Sequence, residues 1–526
     1  MKSLKIIIVI FSTSITYGQV KQEAVLQWSE IYDSPGTSLD VPNSYAFNQN
    51  NNLYLAGYSQ VVGMSGIRKI TTIRYSASGQ TTFFERYDSL STGTEFTTSI
   101  VVDYLGALYE SAISYPTNTS SEVLLIRYSN KGNIDWTIHL PVYPYNAQLV
   151  IDSEENVFIG VSSDRGVYIW KFNQQGSVMD STIIRTGDTT SFGFNSLIVS
   201  RNGDIYIVGN REYEYYDGFS MPILYTWGEL VKLDTHCNLI WRRTLSKTIS
   251  RPVIIDQEGN LIVTSNEYVE KFSSEGDSLS EMHTISQMTL MDVAIDSHNN
   301  IIVGGYTTSP SIDSYILKYD ATGYLKWDAI IAVPGRSLVE CYALTLDSTD
   351  NIYLTGSTSG VECLIEKLDS SGIKAWSTLF ARDEDEFDEG SFIAIGDSGN
   401  VFVGGFCGTS SHTYNYNFLA LKYGQKNIKT SVESVHEKFF NFKLFQNYPN
   451  PFNPSTTISF NLPLRSHVTL KIFDLIGREV ATIVSEELQA GNHSQQWNAA
   501  NMPSGIYFYR LQAGLFTETK KLILLK

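Results

Sequence analysis

The chain has 526 residues, enough for more than one domain. Its aromatic content of 13% and charged content of 18% are typical of an all-β surface protein. The net charge of −17 disfavours nucleic acid as a partner, because binding a phosphate backbone requires a basic surface.

The first 18 residues are predicted to be a signal peptide. Two lysines precede the apolar run Ile6–Phe11, and small residues permit cleavage before Gln19. The alternative is a buried N-terminal strand. No later segment reaches the ~18 consecutive apolar residues of a membrane helix. We therefore expect export, and a mature chain that is soluble or attached to the cell surface.

A repeat of roughly 50 residues occupies most of the chain. In its most regular copy, Ala294–Trp327, a polar turn separates two apolar strands, and a lysine-aromatic strand and a tryptophan strand follow. Period-2 alternation predicts strands, and the Asp-x-x-x-Asn/Gly turns predict hairpins, because Asp bonds its own backbone and Gly or Asn accepts a left-handed conformation. Eight alternating strands mark the copies: Leu53–Gly57, Leu108–Ser111, Val157–Gly160, Ile205–Gly209, Leu261–Thr264, Ile301–Gly305, Ile352–Gly356 and Val401–Gly405.

These features predict an all-β fold, a β-propeller of about eight four-stranded blades over residues 19–426. The last copy lacks its fourth strand, and the stretch Val25–Tyr32 around Trp28 has the missing pattern. We expect this N-terminal strand to close the last blade. The repeat resembles the bacterial β-propeller family called SBBP, whose name implies seven blades, one fewer than the eight copies counted here.

The repeat pattern ends before residues 427–441, a polar stretch predicted to be a linker. Residues 442–526 begin with a proline-rich segment, in which a central strand is excluded because proline lacks the backbone donor. Six short strand-like runs follow, separated by turns. They predict a small β-sandwich similar to the immunoglobulin fold.

This C-terminal region has a recognisable set of positions: Asn447, Pro449, Asn450, Pro451, Phe452, Asn453, Pro454, Gly477, Gly505 and Tyr507. With them it closely resembles the type A sorting domain of the type IX secretion system. The resemblance implies Sec export, passage through the outer membrane by the type IX machinery, and usually removal of the tail with surface attachment or release. The alternative is an ordinary sandwich without a sorting role.

The four cysteines, Cys237, Cys341, Cys363 and Cys407, have no framework spacing. An exported protein can form disulfides, and a pair between Cys363 and Cys407 in adjacent blades is one possibility. Buried free thiols are the favoured interpretation.

No metal, cofactor or catalytic residue is predicted. The turn Asp296-x-His298-x-Asn300 has a superficial likeness to a calcium loop, but it lacks the glycine and the distant glutamate of an EF-hand. Its recurrence in most blades favours hairpin chemistry. We find no HExxH, GxSxG or phosphate-binding loop.

The loops on one face of the predicted propeller are long and variable, and recognition is expected there. Tyrosine rings suit sugars or peptides, whereas the alternative is that they pack onto their own blade. An acidic run near Asp383 either attracts a cationic partner or is simply solvated. The candidate residues are Tyr213, Tyr215, Tyr216, Tyr225, Trp227, Asp383, Glu384, Tyr414 and Tyr416.

The sequence therefore predicts a secreted or surface-attached propeller that acts as a non-catalytic binding or adhesion module. The first alternative is a secreted glycan hydrolase or lyase with carboxylates near the central channel, and the second is a structural scaffold. Carboxylates gathered on the inner strands with shifted pKa values would favour the enzyme.

Overall fold

In the computed structural model the chain divides into two units, Met1–Thr430 and Ser431–Lys526. The structure describes residues 7–11, 21–34, 39–61, 66–87, 93–116, 120–185, 190–215, 223–249, 253–265, 268–308, 312–336, 338–359, 361–382, 386–409, 415–428, 443–462, 466–489, 491–513 and 516–525.

These residues form strands β1 to β40 and one 3-10 turn, Asp397–Gly399. In chain order the strands are Ile7–Phe11, Lys21–Tyr32, Asp40–Phe47, Leu53–Gln60, Arg68–Tyr75, Thr81–Tyr87, Thr94–Val102, Leu108–Tyr115, Glu122–Tyr128, Ile134–Leu140, Pro144–Ile151, Val157–Ser163, Gly166–Phe172, Val178–Arg185, Thr190–Val199, Ile205–Tyr215, Ile223–Leu233, Leu239–Leu245, Ile254–Ile255, Leu261–Thr264, Tyr268–Phe272, Ser278–His283, Met288–Ile295, Ile301–Thr307, Ser314–Tyr319, Leu325–Ile331, Val339–Leu346, Ile352–Thr358, Glu362–Leu368, Lys374–Ala381, Glu386–Ile395, Val401–Thr409, Asn415–Ile428, Lys443–Leu444, Ser455–Leu462, Ser466–Phe473, Glu479–Leu488, Gly491–Asn498, Gly505–Ala513 and Phe516–Leu524.

The first unit contains eight antiparallel sheets, each with four blade strands, and β1 adds a fifth strand to one of them. Blades 1 to 7 are β3–β6, β7–β10, β11–β14, β15–β18, β19–β22, β23–β26 and β27–β30, and blade 8 is β31–β33 completed by β2. The first strand of each blade is innermost and the fourth is outermost. The prediction of eight four-stranded blades is confirmed.

The apolar core lies between the blades and shows that they form a closed ring. Eight clusters of buried residues each combine side chains from two neighbouring blades. One of them joins Leu53 and Leu55 of blade 1 to Phe402 and Phe418 of blade 8. Each sheet therefore buries both of its faces against its neighbours.

The ring closes through the N-terminal strand, as predicted. In β2, Lys21 pairs with Ile428 and Trp28 pairs with Lys422 of β33. The Trp28 indole and the Lys422 ammonium both donate to the carbonyl oxygen of Ala77 in blade 1, at 3.2 and 2.7 Å. The closing strand thus completes blade 8 and also ties it to blade 1.

A further strand, β1, pairs antiparallel with β30 at the outer edge of blade 7, with Ile7 opposite Ala381. It falls inside the segment predicted to be a signal peptide. Cleavage before Gln19 would remove it, and that cleavage stays a prediction. Most of the predicted linker lies outside the described residues, so its bounds also stay a prediction.

The hairpin turns follow the chemistry that the sequence indicated. In blade 6, the backbone N–H of Asn299 donates to Asp296 O at 3.1 Å, and Asn299 adopts a φ of 59°. Asp296 Oδ1 accepts from the backbone N–H groups of His298 at 2.8 Å and Asn300 at 2.9 Å. A short side chain that accepts backbone hydrogen bonds, together with a residue in the left-handed conformation, thus fixes each turn locally.

All four cysteines are buried free thiols, as favoured from the sequence. Cys363 and Cys407 lie in the same cluster between blades 7 and 8, yet they form no disulfide. Burial raises the pKa of the Cys237 thiol to about 12, so this sulfur stays protonated and unreactive.

The second unit is a β-sandwich. One sheet has the order β34-β35-β38, and the other has the order β37-β36-β39-β40. One apolar cluster spans both sheets, with Ile458 and Phe460 from the first and Leu470, Tyr509 and Leu522 from the second. The prediction of a small sandwich is confirmed.

Candidate functional site

The propeller has two unlike faces. On one, which we call the turn face, tight turns join the first to the second and the third to the fourth strand of each blade, as at Asp296–Asn300 and Asp320–Tyr324. The remaining connections form the variable face. Since Ile428 ends β33 opposite Lys21, the chain leaves the last propeller strand at the turn face.

Charged groups on the turn face hold the blades together. The Lys318 ammonium lies 2.8 Å from Asp296 Oδ2 in its own blade and donates to Ser370 O of blade 7 at 3.1 Å. The pattern recurs between Lys271 and Asp256 at 2.9 Å, with Lys271 donating to Ala321 O of the next blade at 3.3 Å. The lysine of the repeat motif is therefore a structural residue.

One group of three metal-ligand side chains exists among the described residues, Asp296, His298 and Asp350, with atoms within 4.8 Å of one another. Asp296 Oδ2 already accepts from Lys318 and, at 2.7 Å, from the Asn300 amide. Both Asp296 oxygens are thus occupied by donors, one of them a cation. The group is better explained as the predicted hairpin chemistry than as a calcium site.

The candidate aromatics of blade 4 lie on a long hairpin at the variable face. The predicted loop is largely strand, because β16 and β17 have 11 residues each. Tyr213 lies opposite Tyr225, with ring centroids 6.4 Å apart, and Tyr225 is 52% exposed. Trp227 is partly buried opposite Arg211. The hairpin therefore presents Tyr225 to solvent, with the partly buried Tyr213 beside it.

The other candidates are less well placed or lie outside the described part of the chain. The Tyr416 ring packs 5.5 Å from both Phe387 and Phe406 within blade 8. Its position fits the alternative that these rings pack onto their own blade. The residues or side chains outside the described part are Tyr215, Tyr216, Asp383, Glu384 and Tyr414.

The inner strands of blades 7 and 8 bring together a group that was not singled out from the sequence. Glu340 and Tyr342 are on β27, and Glu389 and Ser391 are on β31. The Tyr342 hydroxyl donates to Glu340 Oε2, and the Ser391 hydroxyl donates to Glu389 Oε1 at 3.3 Å. Glu340 lies at the variable-face end of β27, whereas Ser391 is the sixth of the ten residues of β31. All four side chains are partly buried. We call them the inner cluster.

Aromatic rings flank the inner cluster on both sides. Tyr306 of blade 6 stands perpendicular to Tyr342, with centroids 6.3 Å apart. Tyr45 of blade 1 stacks on Phe392 at 5.6 Å. The cluster thus combines carboxyl groups, hydroxyl groups and apolar ring faces, the mixture with which proteins contact sugars and peptides.

The electrostatics of the inner cluster favour a protonated carboxyl group near neutral pH. Burial raises the pKa of Glu389 to about 7, the Ser391 hydrogen bond opposes this rise, and the charge of Glu340 adds to it. Burial, and then the charge of Glu389, also raise the pKa of Tyr342. Glu389 can therefore both donate and accept hydrogen bonds at neutral pH.

The repeat itself carried a signal for this cluster. Glu340 and Glu389 occupy equivalent positions in blades 7 and 8. In each blade, the residue after the glutamate pairs with a glycine of the second strand, Gly356 in blade 7 and Gly405 in blade 8. Aligning the first strands of the repeats would have found them. Alternation within single strands predicts channel carboxylates only as a class, without residue numbers.

In the sandwich, the predicted sorting residues fasten the proline-rich segment to the two sheets. The Asn447 amide donates to Thr456 Oγ1 at 2.9 Å and to Pro449 O at 3.1 Å. Asn450 Oδ1 accepts from Ile523 N at 2.9 Å, and the Phe452 ring lies 5.7 Å from Trp497 in the core.

The remaining sorting positions shape the turns and the core. Gly477 has a φ of 81° in a tight turn, and the Tyr507 hydroxyl donates to Pro503 O at 2.8 Å. Pro454 O accepts from Ala499 N at 2.8 Å. Pro451 and Asn453 flank Phe452 in the segment, and Gly505 begins β39. The motif thus has a structural explanation at most of its positions.

Residues 446–525 match the family model described as the secretion system C-terminal sorting domain. The C-terminal unit is a sorting domain. The type IX secretion system recognises such domains, so the protein is exported and reaches the cell surface or the medium. Among the described residues, no helix has the length and apolar character needed to cross a bilayer.

Comparisons of the whole chain add little beyond the sorting domain. No curated protein sequence matches it significantly. The structure is similar to virginiamycin B lyase from Staphylococcus aureus, with 9% identity over 77% of this chain and 99% of that chain and a TM-score of 0.38. It is also similar to the Pan2 WD40 domain of Neurospora crassa, with 10% identity over 62% and 88% and a TM-score of 0.37. At these scores the likenesses support no functional conclusion, and the SBBP resemblance stays a prediction.

Proposed function

We propose that the propeller is a non-catalytic binding or adhesion module that meets a glycan or peptide at the variable face. The inner cluster carries this proposal, because Glu340, Tyr342 and Glu389 offer hydrogen-bonding groups beside tyrosine rings. The exposed Tyr225, with the partly buried Tyr213 beside it, extends the contact surface on the same face. On the turn face, in contrast, Lys271 and Lys318 already pair with carboxylates of their own blades.

The ligand class follows from the chemistry of the cluster. Tyrosine supplies rigid ring area with a polar tip, and a carboxyl group near its pKa accepts and donates hydrogen bonds. A neutral, hydroxyl-rich ligand matches these groups better than an anion does, since Glu340 would repel negative charge. A glycan is therefore the first ligand class to test, and a peptide is the second.

The test uses the mature chain, residues 19–526, mixed with a panel of surface polysaccharides and peptides. Depletion of protein from solution and release of reducing ends are measured in the same tubes. We expect saturable depletion without product, and a loss of depletion in Tyr342→Ala and Tyr225→Ala. Tyr324→Ala is the matched control, because Tyr324 is 79% exposed on the turn face. Equal loss in this control would contradict the assignment to the variable face.

A glycan hydrolase or lyase is the second candidate. The observation that favours it is the raised pKa of Glu389 beside Glu340 on the neighbouring inner strand. Glycoside hydrolysis uses a pair of carboxyl groups, one of them held protonated as the acid. Release of reducing ends that Glu389→Gln abolishes would replace the binding proposal with this one. Absence of both depletion and product across the panel would favour the scaffold.

A further inference from the structure

The solvent face of the four-stranded sheet in the sorting domain carries apolar side chains in register. Phe473 of β36 pairs with Phe508 of β39, and Ile506 pairs with Ile523 of β40. Their neighbours in sequence, such as Tyr507 and Leu522, point into the core. These four side chains therefore lie on the opposite side, where Ile506 is 42% exposed. Phe473, Phe508 and Ile523 are partly buried, and the Arg510 guanidinium lies 5.0 Å from the centre of the Phe473 ring.

The turn at the end of this face extends the apolar surface. Leu475 and Ile476 are the two central residues of the turn between Asp474 and Arg478, and they are 69% and 74% exposed. Asp474 Oδ1 accepts from Ile476 N and Arg478 N, and Gly477 N donates to Asp474 O. The turn geometry thus depends on the aspartate and the glycine and not on the two apolar side chains.

The propeller provides an internal comparison for this turn. Its turns have the same backbone hydrogen bonds, and their central residues are mostly polar, as at Ser297 and His298. Blade 2 is different, with Tyr104 and Leu105 exposed by 71% and 62%. Two large apolar residues are therefore not required by the fold at Leu475 and Ile476, and their exposure calls for another explanation.

The charges on this sheet face are also unusual. Lys471 lies directly opposite Arg510 in the register of β36 and β39, and like charges placed this way destabilise a sheet unless an acidic group is nearby. Glu479 supplies that group for Lys471, at 2.9 Å, whereas Arg510 donates to Thr519 Oγ1 at 3.2 Å. Lys521 of β40 is exposed on the same side. Residues 443–526 contain eight lysines and arginines against five aspartates and glutamates, although the whole chain has a net charge of −17. The sorting domain is thus a basic unit on an acidic protein.

We propose that the solvent face of β36, β39 and β40, together with Leu475 and Ile476, is the surface by which the sorting domain docks on the secretion machinery. Charge complementarity identifies the partner as a protein surface that is apolar at its centre and acidic at its rim. The aromatic and aliphatic side chains supply the buried centre, and Lys471 and Arg510 supply the rim. The proposal rests on the sorting assignment of residues 446–525 and not on the ligand of the propeller.

The experiment follows export of the full chain from its native host, measured as the ratio of surface and released protein to periplasmic protein. The first variant combines Leu475→Ser with Ile476→Asn. Its matched control combines Tyr104→Ser with Leu105→Asn, in a turn with the same hydrogen bonds and similar exposure. We expect the tail variant to lower the ratio by about tenfold, which corresponds to loss of one strong contact. The control should leave the ratio within about twofold of the wild type.

A second pair of variants tests the charges, and thermal unfolding checks that each variant is folded. Arg510→Glu should lower the ratio, and Arg510→Lys should preserve it, because only the first reverses the charge. Thermal unfolding of each purified variant should match that of the wild type, since these side chains are solvent-exposed. Wild-type export of both the apolar variant and Arg510→Glu would overturn the proposal.

Deletion of residues 431–526 separates this proposal from the sorting assignment. If the deletion blocks export and the surface variants do not, only the docking surface is wrong. If the deletion leaves export intact, both the sorting assignment and the docking surface are wrong. Equal loss in the blade 2 control would also refute the proposal, because the effect would then belong to apolar turns in general.

Discussion

Replacing Lys318 with methionine should destabilise the propeller strongly. The ammonium lies 2.8 Å from Asp296 Oδ2, and the two side chains are only 6% and 1% exposed. Methionine keeps most of the apolar stem, so the packing change is small. The main effect is that Asp296 stays buried without its cation, which costs about 3–5 kcal/mol for pairs of this kind. Loss of the hydrogen bond from Lys318 to Ser370 O acts in the same direction.

The destabilisation should depend on pH in a defined direction. Burial alone would raise the pKa of Asp296, but hydrogen bonds from Lys318 and Asn300 lower it below its usual value. A lowered folded-state pKa contributes stability that is present above the unfolded pKa, near ~3.9, and is lost as pH falls. In Lys318→Met the carboxyl pKa should instead rise, since desolvation remains without the cation. The deficit should therefore shrink as the pH falls from 7 towards 4.5 and Asp296 takes up a proton.

The assay is urea unfolding of residues 19–526 followed by tryptophan fluorescence at both pH values. Lys326→Met in the same blade is the matched control, because Lys326 is exposed on β26 and its loss should change the unfolding free energy by less than about 0.5 kcal/mol. A double variant with Asp296→Asn should recover part of the loss, since neither charge is then buried alone. The reasoning is refuted if Lys318→Met costs no more than Lys326→Met, or if its deficit does not shrink in acid.

Three further predictions concern the turns, the inner cluster and processing. In urea unfolding, Gly372→Ala should destabilise the protein by about 1–3 kcal/mol more than Gly259→Ala. Both glycines have a positive φ, so the backbone strain is similar. The difference is that a Cβ at Gly372 would lie 2.9 Å from the Trp327 ring, whereas a Cβ at Gly259 would enter open space. The raised pKa of Glu389 means that the folded state holds a proton that the unfolded state releases between pH 4.5 and about 7, so stability should fall as pH rises through this window. Urea midpoints from pH 5 to 8 should show this slope in the wild type but not in Glu389→Gln. Intact-mass measurement of protein exported by its native host should give an N-terminus at Gln19, and retention of residues 1–18 would contradict the signal-peptide prediction.

The blade architecture was predictable because its determinants are local and repeated. Alternation of period 2 identifies each strand, and the aspartate-to-backbone hydrogen bonds that fix the turn at Asp296 involve residues within four positions. An ambiguous strand assignment in one repeat is resolved by the corresponding strand in the other repeats. Even ring closure could be predicted, since a repeat without its fourth strand requires a matching strand elsewhere, and Trp28 marked it.

The candidate site was less predictable because it depends on contacts between repeats. Glu340 and Glu389 meet only when blades 7 and 8 are adjacent and their first strands face the channel. The hairpin of blade 4 was interpreted as a loop, although Arg211 to Tyr215 alternates with the same period as a strand. A hairpin that projects from the ring buries little, so its composition is polar and aromatic and gives no core signal.

The pairing of Lys21 with Ile428 connects the fold to the order of export. The strand that closes the ring, Lys21–Tyr32, comes from the N-terminal part of the chain, and its partner is the last propeller strand before the sorting domain. Blade 8 therefore cannot be completed until residue 428 is available, and its closing contact is among the most distant in the sequence. Contacts of such long range form late and slowly, because loop closure costs entropy before any strand pairing compensates it. The sorting domain emerges only after this strand, so by the time the machinery can recognise it, every segment needed to close the propeller has already been delivered.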